Sequence, residues 1–309
     1  MIKSIIDGKL YEMIENFLSE DGVGVNDYYW LNLPNDSVKC TLKFKTKGTV
    51  LAGLPYFFAV FNCLLKHQKS SESSKSSKSS NCDQNEELLK LEGKVVGQGD
   101  SVETLEFSLP FNVALTGERL ALNLLQRASS VATITNQFTQ KANALGIAIL
   151  ETRKTTPGLR SLEKYAVRVG GGHNHRFTQV DMFMVKDNHK YFFGGLKNAY
   201  QYFKSMQSFY TPILVEIHDL SELQEAINLK VKHVMLDNFT PDMVKEALMV
   251  KPRSGNNDNN FEMSYELSGG INLGNIDNYL FKGVDAISIG SLTSNSSIVD
   301  ISLKYHIMK

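Results

Sequence analysis

The spacing of apolar and polar residues changes period along the chain. Ile5, Leu10, Ile14 and Phe17 to Leu18 recur at helical intervals and predict an opening helix that closes at Glu20-Asp21-Gly22. From Lys39 the period becomes two. Lys39, Thr41, Lys43 and Lys45 fall on one face and Cys40, Leu42 and Phe44 on the other, the pattern of a half-exposed strand. A second short strand around Val50 to Ala52 leads through Pro55 into a helix over Tyr56 to Leu65. Strand-like pieces at Lys94 to Val96 and Ser101 to Phe107 flank Gly97-Gln98-Gly99-Asp100, which predicts a hairpin. No helix start follows that GxG, so a phosphate-cradling reading fails on context. Gly117 to Lys141 then carries Leu120, Leu124, Leu125, Ala128, Val131 and Ile134 at the spacing of a long helix.

Beyond Gly146, short apolar runs alternate with helical patterns. Ile147 to Leu150, Met182 to Val185, Ile213 to Ile217, Val234 to Leu236, Met263 to Leu267 and Ala286 to Ile289 read as buried strands. Helices are predicted over Leu159 to Val169, Ser221 to Leu229, Pro241 to Val250 and Gly274 to Phe281, with Ser221 and Gln224 as a capping box. Parallel strands joined by single helices wind into an open sheet or a closed barrel, and the right-handed crossover rule leaves few alternatives.

Composition narrows the function classes. The 309 residues carry 33 basic and 33 acidic side chains, so the formal net charge is zero. That excludes nucleic-acid or membrane-surface binding driven by long-range attraction. Cys40, Cys63 and Cys82 share no metal-ligand spacing and read as reduced thiols. The longest apolar stretch, Leu54 to Leu65, is too short to span a bilayer, so a soluble cytoplasmic protein is expected. Ser70 to Asn85 is a low-complexity serine and lysine stretch that cannot bury a core and is expected to be a loop.

Candidate chemistry sits just past the predicted strand ends. Arg153 and Lys154 follow the first barrel strand, Lys186 the second, Glu216 and Asp237 close the next two, and Ser268-Gly269-Gly270 and Gly290-Ser291 follow the last two. In a barrel those ends share one face, the face where the site of a TIM-type enzyme lies. Arg153, Lys154, His175, Arg176 and Lys186 together suit a ligand with several carboxylates or phosphates. Paired carboxylates at Glu216 and Asp237 can hold Mg²⁺ through water and ligand oxygens, or stabilise a developing positive charge. At about 4 Å and an effective dielectric near 20 such stabilisation reaches roughly 4 kcal/mol, about a thousandfold in rate. The glycine loops can offer backbone N–H groups to a phosphate. His173 and His175 form an HxH without a third soft ligand nearby, and Gly170 to Gly172 more simply ends the preceding helix.

These residues resemble a known family. Thr116 to Thr133 (TGERLALNLLQRASSVAT), Glu151 to Arg176 (ETRKTTPGLRSLEKYAVRVGGGHNHR), VKDNH at Val185 to His189, VEI around Glu216, LDNF at Asp237, SGG at Ser268 and the Gly290 loop are similar, in order, to quinolinate phosphoribosyltransferases, also called carboxylating nicotinate-nucleotide pyrophosphorylases. The resemblance implies an N-terminal α/β sandwich over 1–114, with the serine-rich insertion at 68–87 and the returning residues 296–309, plus an incomplete TIM-like α/β barrel over 115–295. It implies transfer of phosphoribose from phosphoribosyl pyrophosphate to quinolinate, with release of pyrophosphate and CO2 and with Mg²⁺ as cofactor. By motif, Arg153, Lys154, His175, Arg176 and Lys186 would hold the quinolinate carboxylates and pyrophosphate. Glu216 and Asp237 would face ribose and Mg²⁺, with Lys154 beside them in catalysis. Ser268, Gly269, Gly270, Gly290 and Ser291 would take the 5′-phosphate. Arg119 would reach in from a partner subunit of a homodimer, from which a hexamer can be built. Two departures stand out: Ser130 where the family usually has glycine, and GSLTSN at Gly290 to Asn295 where a GALTHS-like loop is common. Rival readings are a nicotinate phosphoribosyltransferase without decarboxylation, a Schiff-base aldolase using Lys186, and a catalytically silent nucleotide-binding barrel.

Overall fold

The structure, a computed structural model, describes residues 8–71, 87–97, 103–252 and 261–307. Two compact units partition the chain: Met1–Ile134 with Ser161–Gly170 and Ser296–Lys309, and Thr135–Arg160 with Gly171–Asn295. Among the described residues no helix is long and apolar enough to cross a membrane.

In the first unit, α1 (Gly8–Glu20) and the four-residue α2 (Tyr28–Leu31) precede β1 (Ser37–Phe44). β1 is the centre of an antiparallel sheet, flanked by β4 (Thr104–Pro110) and by β11 (Ile301–Ile307) near the end of the chain. Its two-residue period sets the register: Leu42 stands opposite both Leu105 and Leu303. β2 (Thr49–Val50) pairs instead with β3 (Val95–Val96). The expected hairpin between β3 and β4 is therefore not formed. β3 has only two residues to pair, whereas β4 matches β1 over seven positions and buries Leu105, Phe107 and Leu109. The turn at 98–102 lies outside the described residues.

Helix α3 (Leu54–Ser71) runs longer than its apolar core suggests and takes in the first serines of the serine-rich stretch, whose remainder, 72–86, lies outside the described residues. Helix α4 (Phe111–Ala142) starts six residues before the expected Gly117, directly after β4. Gly117 is no breaker there: a Cβ would sit 2.8 Å from the Phe61 ring, so glycine lets α3 and α4 approach closely. Phe57, Phe58 and Phe61 of α3 pack around Phe107 at ring separations of 5.5 to 6.3 Å. Ser130, the first departure from the family pattern, donates to Gln126 O at 2.7 Å and accepts from Val299 N at 3.0 Å, tethering the segment before β11. Helix α5 (Arg160–Val169) also belongs to this unit and, as expected, ends at the glycine run, where Gly171 turns left-handed with φ +89°.

The second unit is built on six parallel strands: β5 (Ala148–Leu150), β6 (Phe183–Val185), β7 (Ile213–Ile217), β8 (His233–Asp237), β9 (Ser264–Ser268) and β10 (Ala286–Ser288). Their spatial order is β5-β10-β9-β8-β7-β6, so the first two strands in sequence are the two edges. Among the described residues β5 and β6 are not paired with each other. Helices α6 (Asp187–Phe193), α7 (Leu196–Met206), α8 (Leu220–Asn228), α9 (Pro241–Met249) and α10 (Ser291–Ser294) connect or follow the strands. Two local expectations fail. Helix α8 is capped by Asp219, which accepts Glu222 N at 2.8 Å, and not by Ser221. Over Gly274 to Phe281 only a 3₁₀ turn forms, at Ile276–Tyr279, because Asn272 and Asn275 side chains take the Gly274 and Asn272 amides.

Strand period explains how the candidate residues come to share a side. Met184, Leu214 and Met235 form one buried cluster against Met182. Two residues further along each strand, on the same face, stand Lys186, Glu216 and Asp237. Ser268 takes the corresponding place on β9, paired with Asp237 in register.

Candidate active site

Along the carboxyl rim, spatial order differs from chain order. From one edge it runs Arg153 and Lys154, Gly290 and Ser291, Ser268 to Gly270, Asp237, Glu216, Lys186. The glycine loops thus stand between the first cations and the carboxylates.

Glu216 is buried, and its Oε2 lies 2.6 Å from Lys186 Nζ. A buried carboxylate needs such a partner, because its charge has lost most of its water. Glu216 Oε1 lies 3.5 Å from His218 Nε2, which is 2.6 Å from Asp187 Oδ1. Burial alone would raise the Asp187 carboxyl, but hydrogen bonding and charge from Lys190 and His218 outweigh it and hold it below its ordinary value. Lys190, also buried, donates to the Glu216 carbonyl at 3.1 Å and to both Glu222 carboxylate oxygens at 2.9 Å. Asp187, His218 and Lys190 were not anticipated. The signal was present in the runs KDNHK and EIHD that contain the named residues, but single charges next to a motif do not reveal that two loops meet.

Asp237 Oδ2 accepts from Asn238 Nδ2 at 2.8 Å. Asn238 adopts a left-handed φ of 57° and donates its amide to Ser268 O at 2.9 Å. Gly269 has φ +92°, and a Cβ there would come within 2.3 Å of Asn238 Oδ1. The Asp237 and Ser-Gly-Gly loops therefore interlock, and only glycine fits at the junction. At the other edge, a Cβ on Gly290 would lie 3.3 Å from Lys154 Cδ, so the Lys154 side chain passes directly over that loop. Thr293 Oγ1 donates to Lys154 O at 2.7 Å and Ser294 Oγ to Gly290 O at 3.0 Å. The GSLTSN departure thus binds its own turn and the Lys154 segment through hydroxyls.

His175 and Arg176 line a cavity in this unit, and Arg153 of the rim is a charged neighbour of Arg176. Arg176 donates through Nη1 to Met182 O at 3.0 Å. Burial, and then the charge of Arg153, push its guanidinium below the ordinary value. The Arg153 Nε is buried without a hydrogen-bond partner among the described residues. Two neighbouring guanidiniums, one with a desolvated unused donor, are costly alone and favourable once an anion arrives. The His175 ring is clamped, with Nδ1 accepting Arg176 N at 2.8 Å and Nε2 lying 3.4 Å from Glu266 Oε1. His173 pairs with the β5 edge instead, donating its amide to Ile149 O. A cavity of about 230 Å³ opens beside His175, Arg176, Met182, Leu214 and Glu266 and continues toward His233 and Ser264 at the amino ends of β8 and β9. It lies below the rim, and Lys154, Lys186, Glu216 and Asp237 do not line it. Arg119 is exposed on α4 in the other unit.

A carboxylate pair fits a hard divalent cation, since Glu216 Oε1 and Asp237 Oδ1 are not taken by the Lys186 and Asn238 bonds. Asp187, Glu216 and His218 form a second donor set whose ligand atoms lie within 4.8 Å of one another. Lys186 meets the needs of a Schiff-base nucleophile poorly, because its amine is already engaged by Glu216.

Residues 131–304 match the family described as quinolinate phosphoribosyl transferase, C-terminal domain. The chain is 33% identical over 300 residues to nicotinate-nucleotide pyrophosphorylase (carboxylating) of Rattus norvegicus, covering 96% of this chain and 91% of that one. The Homo sapiens protein of the same name is 33% identical over 298 residues, with 96% and 91% covered. The solved structure of NadC from Streptococcus pyogenes superposes with a TM-score of 0.79 at 31% identity, covering 97% of this chain and 98% of that one. With its parallel barrel, its rim of cations, glycine loops and carboxylates, and these matches over nearly its whole length, the chain belongs to the quinolinate phosphoribosyltransferase family.

Proposed function

We propose that this protein joins quinolinate to the ribose of phosphoribosyl pyrophosphate and decarboxylates it, yielding nicotinate mononucleotide, pyrophosphate and CO2 for NAD synthesis. The observation that carries this reading is the neighbouring, half-buried pair Arg153 and Arg176, with a buried Arg153 Nε that has no partner among the described residues, beside a rim on which two glycine loops are followed by two carboxylates. A dianionic acceptor satisfies both guanidiniums, whereas a monocarboxylate leaves one desolvated charge unmet. That difference favours quinolinate over nicotinate.

In this account Arg153, His175 and Arg176 bind the quinolinate carboxylates, and Lys154 and Lys186 meet the pyrophosphate. Ser268, Gly269, Gly270, Gly290 and Ser291 receive the 5′-phosphate through backbone amides and hydroxyl. As the bond to pyrophosphate breaks, positive charge grows on the ribose ring. Glu216 and Asp237 face it and stabilise it. The pyridine nitrogen then takes C1, and loss of the adjacent carboxylate as CO2 leaves a carbanion that the neighbouring cations stabilise until that ring carbon takes a proton from water. Glu216 and Asp237 would hold Mg²⁺, through water or substrate oxygens, and the ion would neutralise charge on the departing pyrophosphate. Arg119 completes the site of a second copy in a homodimer. Cys40 and Cys63 are free and buried, which supports a reducing, cytoplasmic setting.

Incubation with phosphoribosyl pyrophosphate, Mg²⁺ and either quinolinate or nicotinate separates the readings. Nicotinate mononucleotide is expected from quinolinate and not from nicotinate; the reverse preference would contradict the assignment. Binding of phosphoribosyl pyrophosphate without turnover would identify a silent barrel.

A further inference from the structure

A buried cation that the proposed chemistry does not use lies at the carboxyl end of β7. Lys190 of α6 is 7% exposed, and its amine meets the Glu216 carbonyl at 3.1 Å, both Glu222 carboxylate oxygens at 2.9 Å and Asp187 Oδ1 at 3.1 Å. The sheet explains the first contact. β6 ends at Val185, opposite Val215, so no further residue of that strand stands beside Glu216, and the Lys190 amine takes the Glu216 carbonyl instead. Glu222, the third residue of α8, is fixed in turn: its amide donates to the capping Asp219 Oδ1 at 2.8 Å, and its Oε2 accepts His218 N at 2.9 Å. The pair therefore joins α6, the end of β7 and the start of α8. As a source of stability alone it is a poor choice, because apolar side chains of similar volume serve a buried position as well or better. What they cannot do is hold named backbone atoms in place.

We propose that Lys190 and Glu222 are positioning residues for the transfer step and act through Glu216. The Glu216 carboxylate is buried with Lys186 Nζ 2.6 Å from Oε2, and it can face the ribose only from where its backbone presents it. Lys190 holds that backbone at the carbonyl of the same residue. Glu222 holds it two residues later at the His218 amide, where the chain leaves the strand. With both points fixed, the carboxylate stands ready where positive charge grows, and no rearrangement is needed as the bond to pyrophosphate breaks. A misplacement of about 1 Å at a reacting centre can cost up to about a hundredfold in rate, so a pair that never touches substrate still governs turnover. The inference rests on the reading of Glu216 as the carboxylate that faces ribose. If the wild-type protein makes no nicotinate mononucleotide, that reading fails first; a normal wild-type enzyme isolates the role of the pair.

The test is a set of variants of the full-length protein. Lys190→Met combined with Glu222→Gln removes the amine and the charge that faces it, while the glutamine oxygen still accepts His218 N, so no buried charge is stranded. This variant is expected to keep its melting temperature within a few degrees of wild type, to lose about tenfold in kcat, and to keep KM for quinolinate and for phosphoribosyl pyrophosphate within about twofold. Placed on a Glu216→Gln background, the same two changes should add nothing to the loss already caused there, because the group they position is gone. Should the combined variant not fold, Lys190→Met alone carries the test under the same criteria, since the Glu222 side chain is 27% exposed and can be solvated without its partner. Unchanged kcat in the folded variant, a loss confined to KM, or losses that multiply on the Glu216→Gln background would overturn the proposal.

Discussion

A methyl group at position 269 would come within 2.3 Å of Asn238 Oδ1 on a backbone held at φ +92°. Gly269→Ala is therefore expected to cost about 1–3 kcal/mol of stability by denaturant unfolding, and to weaken phosphoribosyl pyrophosphate binding because the interlocked loop must open. Unchanged unfolding would show that the two loops fit less tightly than described. Lys154→Ala and Glu216→Ala test the rim chemistry. Each should lose about a hundredfold to a thousandfold in turnover with an unchanged circular dichroism spectrum, and near-normal turnover in both would remove the roles assigned to them. The names of these residues were legible in the sequence because each follows an apolar run that ends abruptly. Their partners were not. Asp187 meets His218 at 2.6 Å although 31 positions separate them, and nothing local to either loop encodes that distance.

Strands carried most of the readable information, because burial on both faces forces short, branched, apolar runs that no other element uses. Caps and pairings were harder. Ser221 has the right residue type for a cap, yet Asp219 wins because its carboxylate reaches Glu222 N while Glu222 itself accepts His218 N at 2.9 Å. The hairpin failed for a related reason: turn residues propose a pairing, but the register with the most buried partners decides it, and for β4 that partner was β1. The amino ends of the barrel strands give a pH test. His233 Nδ1 lies 2.7 Å from Ser264 Oγ, joining β8 to β9. Burial, then the charge of Lys232, lower its pKa from the ordinary 6.5. A base lowered in the folded state contributes stability that is present above its unfolded value and is lost as pH falls through the folded one. The melting temperature should thus decline as pH drops below about 6.5, and His233→Gln should flatten that decline. An identical slope in the variant would assign the dependence elsewhere.

At the scale of the whole molecule, alternation of strands and helices left an open sheet and a closed barrel both possible, and the strand order was not visible in periodicity: β5 and β6 are consecutive in sequence, yet among the described residues they are the two edges of the sheet. The proposed sharing of a site between copies is likewise a property of the assembly. Arg119→Ala and Lys186→Ala proteins, each inactive, should regain part of the activity when mixed and allowed to exchange subunits, because some mixed dimers then contain one intact site; no recovery despite proven exchange would contradict a shared site. The central claim is that these rim and cavity residues carry out phosphoribosyl transfer coupled to loss of a carboxylate. The most direct measurement is release of labelled CO2 from quinolinate carrying the label in the carboxylate next to the ring nitrogen. The account predicts release dependent on phosphoribosyl pyrophosphate and equal, mole for mole, to the nicotinate mononucleotide formed, whereas nucleotide formed with the label retained, or no release under any condition, would contradict it.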